Sequence, residues 1–423
     1  MTYFDLPPVI ERMLAVDDKI SDLNFSVGRP PQVEINGKLT PVDIKGLRSL
    51  TPYQTEIIAM SLMGGNQESA EKLVHTGSVD LSFSLPSRTR FRVNIFSQRG
   101  TLSIVMRVIP TDIPTIESLF LPPQLGDISH LKNGIVLLTG PTGSGKSSTL
   151  AALIDKINRE KFYHIVTIED PIEFLHSHKN CTINQRELGS DTPSFALALR
   201  AALRQAPKVI LVGEMRDLET TEIALEAAET GHLVFSTLHT TDASKTVDRI
   251  IGLYPKNEEH VIRVRLAQGF RYIISQRLIP RADGKGRIAA VEVLKATPRT
   301  REYIEKGETE GKSLLDAMND GELDGMQHFD QVIERYIRQG IISQEDGVAF
   351  STNQSNLMLR LSGLGASDDF MGKGGSEIQR QQRERESQAR PGMGGFNMPS
   401  TGAPDRSSTR AIKTNSILDM IER

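Results

Sequence analysis

Apolar residues change their spacing several times along the 423-residue chain. From Met1 to about Pro110 a helical opening over Val9 to Val16 gives way to short alternating runs: Val33 and Ile35, then Val79, Leu81, Phe83 and Leu85. A period of two marks strands with one buried face, so residues 1–110 are expected to form a small α+β domain. Asp112 to Leu125 includes Pro114, Pro122 and Pro123 with no sustained period. That suits an extended linker over 111–130 which lets two domains turn relative to each other. From Leu131 continuous apolar runs alternate with helical patterns: Ile135 to Leu138, His164 to Ile168, Val209 to Val212 and Leu233 to Ser236. Strands alternating with helices predict a parallel, doubly wound α/β sheet, here spanning 131–365. After Ile342 a short helix is expected, with Ser343 as N-cap and Glu345 and Asp346 in the first turn facing the helix dipole.

Beyond Ala366 the chain turns rich in Gly, Ser, Gln and Arg, as in Gln379 to Arg390. So little apolar surface cannot offset the entropy of ordering, and residues 366–423 are expected to be disordered. At the very end Ile417, Leu418 and Ile421 share one helical face behind Asn415 and Ser416 as caps. A helix this short persists only in a partner's groove, so the end reads either as a frayed terminus with incidental apolar residues or as a terminal docking helix.

Composition narrows the classes. With 38% hydrophobic residues the chain can fill two domain cores. Cys181 is the only cysteine, which excludes an intrachain disulfide and a multi-cysteine zinc site. No stretch approaches the roughly 20 apolar residues that cross a bilayer, and Met1 to Ile10 lacks the basic start of a signal peptide. A cytoplasmic protein without an integral membrane segment is expected. A net charge of −3 gives no global attraction to nucleic acid, and 5% aromatics with no Trp offer few stacking platforms. A nucleic-acid translocase is therefore disfavoured, and no nucleic-acid partner is expected.

The strongest chemical signal is Gly140-Pro141-Thr142-Gly143-Ser144-Gly145-Lys146-Ser147, a complete GxxxxGK[ST] between an apolar strand and a helical segment that opens with Ser148. Glycines let backbone N–H groups curl around phosphate, and the following helix adds its positive N-terminal dipole. Lys146 reaches the β/γ oxygens and the Ser147 hydroxyl ligates Mg2+, so ATP and Mg2+ are expected here.

Two strand ends carry acids. Val209-Ile-Leu-Val-Gly-Glu214 is a hydrophobic strand ending in a carboxylate placed to hold Mg2+ through water. Ile165-Val-Thr-Ile-Glu169-Asp170-Pro-Ile-Glu173 gathers three carboxylates where Pro171 ends a strand, at the edge where open α/β sheets bind ligands. Glu169 is the candidate for polarising the attacking water, with Asp170 and Glu173 ordering the loop. His232 and His239 flank the strand Leu233 to Ser236, and neutral imidazole can sense a γ-phosphate or bond a neighbouring acid.

The blocks Thr167-Ile-Glu-Asp-Pro-Ile-Glu-Phe174, Leu203-Arg-Gln-Ala-Pro207, Val209 to Asp217, and Ala228-Glu-Thr-Gly-His-Leu-Val-Phe-Ser-Thr-Leu-His239 resemble the Asp box, Walker B and His box of secretion-superfamily ATPases. The chain is most similar to the type IV pilus retraction ATPases PilT and PilU. This likeness runs from Ser21-Asp-Leu23 and Gly28-Arg-Pro-Pro31 through Asn184-Gln-Arg-Glu187 to Gly325-Met-Gln327. It implies a homohexamer whose protomers join an N-terminal PAS-like domain to a RecA-like P-loop ATPase core. The ring is expected at the inner-membrane base of the pilus, acting on a platform protein, with a paralogous PilT motor as a further partner. It also implies Glu169 as catalytic glutamate, Glu214 as the Walker B acid, and Arg92 and Arg107 as N-terminal arginines that reach nucleotide phosphates.

No tetracysteine insertion of the pilus-extending relatives is present. Thr297-Pro-Arg-Thr-Arg-Glu-Tyr-Ile304 departs from the Ala-Ile-Arg-Asn-Leu-Ile-Arg-Glu of PilT proteins, and Lys306-Gly-Glu308 resembles PilU. A PilU-like accessory motor for retraction and twitching motility is thus expected, with a principal PilT-type motor as the alternative.

Overall fold

A computed structural model describes residues 5–86 and 88–363. The expected tail and its docking helix lie outside the described residues.

The first part runs α1 (Leu6–Leu14), β1 (Ile20–Phe25), β2 (Gln32–Ile35), β3 (Lys38–Pro41), α2 (Pro52–Met63), α3 (Gln67–Thr76), β4 (Ser78–Leu85), β5 (Thr89–Gln98) and β6 (Thr101–Val108). The strands form one antiparallel sheet in the order β3-β2-β1-β6-β5-β4. Alternation decides its faces. Phe91, Val93 and Ile95 are fully buried with Leu23, Ile104, Met106 and Ile58 of α2, while Arg90, Arg92 and Asn94 point the other way. Helix α2 carries only a weak apolar rhythm, but Thr51 closes a capping box on Gln54, and in α3 the Asn66 side chain accepts from Ser69 N–H.

The second part contains β7 (Gly134–Thr139), α4 (Lys146–Glu160), β8 (His164–Glu169), β9 (Thr182–Glu187), α5 (Phe195–Ala202), β10 (Val209–Val212), α6 (Leu218–Glu229), β11 (Leu233–Leu238), α7 (Ala243–Ile251), α8 (Glu259–Gly269), β12 (Phe270–Pro280) and β13 (Arg287–Lys295). Its seven-stranded sheet has the order β13-β12-β7-β11-β10-β8-β9. Every pairing is parallel except β12–β13, a hairpin at one edge. β7 and β11 are buried at every position, as strands covered by helices on both faces must be. Helices α9 (Pro298–Lys306), α10 (Leu314–Asp320), α11 (Phe329–Arg338), α12 (Gln344–Phe350) and α13 (Gln354–Leu361) follow. α12 is capped by Ser343, whose Oγ accepts from Asp346 N–H.

The connecting segment is less free than its prolines suggest. Residues Pro123–His130 form a 3-10 helix, and Ile116, Leu121, Leu125 and Ile128 are buried with Leu150, Leu153, Ile154 and Ile157 of α4. Proline restricts the backbone without preventing its apolar neighbours from packing, and burying each such side chain is worth about 1.5–3 kcal/mol. Half of the expected linker is thus anchored to the second domain.

Candidate nucleotide site

Parallel strands all present their C-terminal ends to one edge of the sheet. There the P-loop after β7, Glu169 closing β8, Glu214 after β10 and His239 after β11 line one cavity of about 700 Å3. The strand order makes this possible, because β7, β11, β10 and β8 are consecutive neighbours.

The loop between β7 and α4 is held by close packing against β12. Gly140 has φ 145°, and a Cβ there would lie 2.4 Å from the Gln276 carbonyl oxygen. Gly145 has φ 90°, and its Cβ would meet Gln276 Nε2 at 2.8 Å. Gln276 is itself fixed, since Thr149 Oγ1 donates to its Oε1 at 2.8 Å. Thr142, Gly143, Gly145, Lys146, Ser147 and Ser148 line the cavity. Gly140 and Ser144 are buried behind them, and Pro141 is exposed. The Lys146 ammonium donates to the carbonyls of Gly140 at 2.8 Å and Pro141 at 3.1 Å. Burial holds its pKa below the ordinary lysine value, and the nearby Glu214 and Glu173 oppose that shift.

Glu169 accepts hydrogen bonds from Thr167 Oγ1 at 2.6 Å and Gln185 Nε2 at 3.1 Å. Burial still raises its pKa, more strongly than these two donors lower it. A carboxylate with raised basicity facing a polar cavity is suited to accepting a proton. Glu214 Oε2 lies 2.7 Å from Arg216 Nε and 3.5 Å from His239 Nε2. Gly213 stands where many P-loop enzymes carry an acid. A Cβ there would press on the Ile168 carbonyl at 3.3 Å and Glu169 Cα at 3.4 Å, so the close approach of β8 favours glycine.

Three expected site residues lie elsewhere. His232 precedes β11 whereas His239 follows it, so the strand separates them by about 20 Å. His232 sits at the opposite sheet edge, its Nδ1 2.9 Å from the Ala227 carbonyl oxygen, and does not line the cavity of its own chain. Arg92 and Arg107 are cross-strand partners on β5 and β6, both exposed, and Arg107 Nε bonds Asp22 Oδ1 at 2.9 Å. Neither lines the cavity of its own chain. Sequence spacing also missed Gln276 and Glu292, on strands outside any quoted motif, and the role of Gln185, which lies within the Asn184 to Glu187 block. Glu292 of β13 is buried beneath the loop that follows His239, and its Oε1 accepts from Ala243 N–H, the first residue of α7, at 2.9 Å.

The family model described as type II/IV secretion system protein matches residues 47–332. The chain belongs to that family. It is 43% identical over 340 residues to the type IV pilus retraction ATPase PilT of Pseudomonas aeruginosa, covering 80% of this chain and 96% of PilT. To the type IV pilus ATPase PilU of the same organism it is 39% identical over 356 residues, 84% of this chain and 91% of PilU. Identity therefore places it in the PilT/PilU branch without separating the two. A crystal structure of the pilus retraction motor PilT with bound ADP superposes with a TM-score of 0.72 at 42% identity, covering 83% of this chain and 98% of that one. The ATPase DotB of Legionella pneumophila gives 0.70 at 29% identity, covering 86% and 98%. This family member is an ATPase with an α/β fold and an N-terminal domain. Among the described residues, no helix is long and apolar enough to cross a membrane.

Proposed function

We propose that the chain is a homohexameric ATP-driven motor for type IV pilus retraction and twitching motility, working in the cytoplasm on a platform protein at the inner-membrane base. The observation that carries this reading is the convergence of the P-loop, Glu169 and Glu214 on one cavity in a chain 43% identical to a retraction ATPase.

The residues present fit ATP with Mg2+. The Ser144 hydroxyl is buried without a hydrogen-bond partner among the described residues, and Gly140 and Gly145 let the loop pack against Gln276 where a Cβ would collide with it. Ser147 directly and Glu214 through water would supply the hard oxygen groups that Mg2+ favours, and the bound ion would neutralise developing phosphate charge. Lys146 exchanges its carbonyl contacts for phosphate oxygens. Glu169, held by Thr167 and Gln185, orients water and receives its proton. Arg92 and Arg107, exposed on the N-terminal sheet, act on the nucleotide across a protomer boundary in the ring, so hydrolysis releases contacts between domains.

An accessory role beside a paralogous PilT motor is supported by Thr297 to Ile304, which departs from the PilT pattern. In the structure Thr297 caps α9 and Arg299 bonds Tyr303 and Asp320.

In purified protein, Lys146→Ala is expected to weaken nucleotide binding. Glu169→Gln keeps ATP but loses turnover by roughly 10² or more. Near-unaltered turnover in Glu169→Gln would refute the assignment. Retraction measured in cells lacking this protein, with and without its paralogues, separates the principal from the accessory role.

A further inference from the structure

Strand β9 ends on Glu187, a carboxylate used by neither the P-loop nor the acidic strand ends. It is only 4% exposed and makes contacts on both sides of the domain boundary. On the ATPase side its Oε2 accepts from Ile172 N–H at 3.2 Å, three residues beyond Glu169. On the N-terminal side it accepts from the Ser82 hydroxyl of β4 and lies 3.3 Å from an Arg90 guanidinium nitrogen of β5. The Arg90 side chain is 20% exposed, and its Nε is buried with no partner among the described residues. Taking a guanidinium this far out of water is costly unless a carboxylate meets it, so docking of the two domains depends on Glu187.

Two further placements tie this contact to the site. Gln185, two residues earlier and so on the same side of β9, donates to Glu169 and to the Phe174 carbonyl, and accepts from His176 N–H at 2.8 Å. Residues 185 and 187 together brace the segment 169–176, whose Glu169, Asp170, Glu173, Phe174 and His176 line the cavity. Across the N-terminal sheet, Ser82 pairs with Arg92 and Arg92 with Arg107. The face that meets Glu187 is therefore the face that carries both exposed arginines.

We propose that Glu187 is a positioning residue that couples docking of the N-terminal domain, through Arg90 and Ser82, to the geometry of the loop following Glu169. The coupling rests on the ATPase reading above. With the N-terminal sheet engaged, Ile172 is held and Glu169 keeps its orientation. With it released, the Glu187 carboxylate loses two of its partners and the loop loosens.

The test uses the full chain with Glu187→Gln, Arg90→Met, Arg90→Lys and the double variant Glu187→Gln/Arg90→Met. The readouts are kcat, KM for ATP and amide exchange of residues 170–176. Each of Glu187→Gln and Arg90→Met is expected to lower kcat by about 10- to 100-fold, the scale of a misplaced catalytic group. KM should stay within about 2-fold, because the P-loop is untouched. Exchange across 170–176 should rise in Arg90→Met although that residue belongs to the other domain. The double variant should be no worse than the single ones, and Arg90→Lys should recover part of the loss. Unchanged kcat and unchanged exchange in Arg90→Met would overturn the proposal, as would losses that multiply in the double variant. If Glu187→Gln does not fold, Arg90→Met and Ser82→Ala decide it. Turnover of the unaltered chain tests the ATPase reading separately, and exchange in Arg90→Met reads the coupling whether or not turnover is seen.

Discussion

Replacing Glu292 with Gln tests how a buried carboxylate beneath the His239 loop is tolerated. Glu292 is 4% exposed on β13, opposite Ser275 of β12, and accepts from the N-terminal amide of α7. Burial, with a smaller push from Asp242, raises its pKa from 4.5 to about 7. The Ala243 amide, Arg277 and Ser275 oppose that rise. The folded protein thus keeps a proton that the unfolded chain has already released between pH 4.5 and about pH 7. Its stabilising contribution is complete below pH 4.5, declines through this window and is lost above about pH 7. At 1.36 kcal/mol per pH unit, the loss is on the order of 3 kcal/mol. Gln retains an acceptor for Ala243 and carries no charge. Glu292→Gln should therefore match the unaltered protein near pH 5 and exceed it near pH 8 by up to about 3 kcal/mol, less whatever attraction to Arg277 is lost. Urea midpoints of the full chain from about pH 5 to about pH 8 measure this, and midpoints suit a protein with more than one domain. A difference between the two proteins that stays flat with pH, or a variant weaker near pH 8, would refute the reasoning.

Gly140→Ala forces a Cβ to 2.4 Å from the Gln276 carbonyl at φ 145°, so it should cost about 1–3 kcal/mol of stability and at least about 10-fold in nucleotide affinity. Thermal unfolding and titration with a fluorescent nucleotide check both, and unchanged affinity would contradict the packing argument. His239→Ala should lower turnover about 10-fold, whereas His232→Ala at the far sheet edge should leave it within about 2-fold and cost roughly 1 kcal/mol of stability through the Ala227 contact. Equal kinetic losses in the two variants would show that sheet edge does not decide their roles. Arg92→Ala combined with Arg107→Ala should reduce steady-state ATPase at least about 10-fold while sedimentation shows the assembly intact. Full activity would remove these arginines from the mechanism.

Local chemistry was written along the chain wherever one short stretch contains both the residues and their context. The P-loop between an apolar strand and a helix, the acids at the ends of β8 and β10, and the Ser343 cap are of this kind, because strand ends and caps are set by neighbours in sequence. The sequence also determined that the sheet is parallel apart from its β12–β13 edge, since continuous apolar strands separated by helices have few other ways to bury both faces. A parallel sheet also puts His232, before β11, and His239, after it, at opposite edges, yet motif content alone kept both as candidates until the cavity lining separated them. The sequence did not reveal Gln276 beneath the P-loop, Gln185 on Glu169, or Glu292 under α7, whose partners lie 127, 16 and 49 residues away. Side-chain periodicity tells a residue whether it is buried, not what it is buried against. Arg90 makes the point most sharply: in sequence it is one of several arginines in an alternating strand, indistinguishable from Arg92 beside it. Only the packing of the two sheets turns it toward Glu187 and leaves Arg92 exposed.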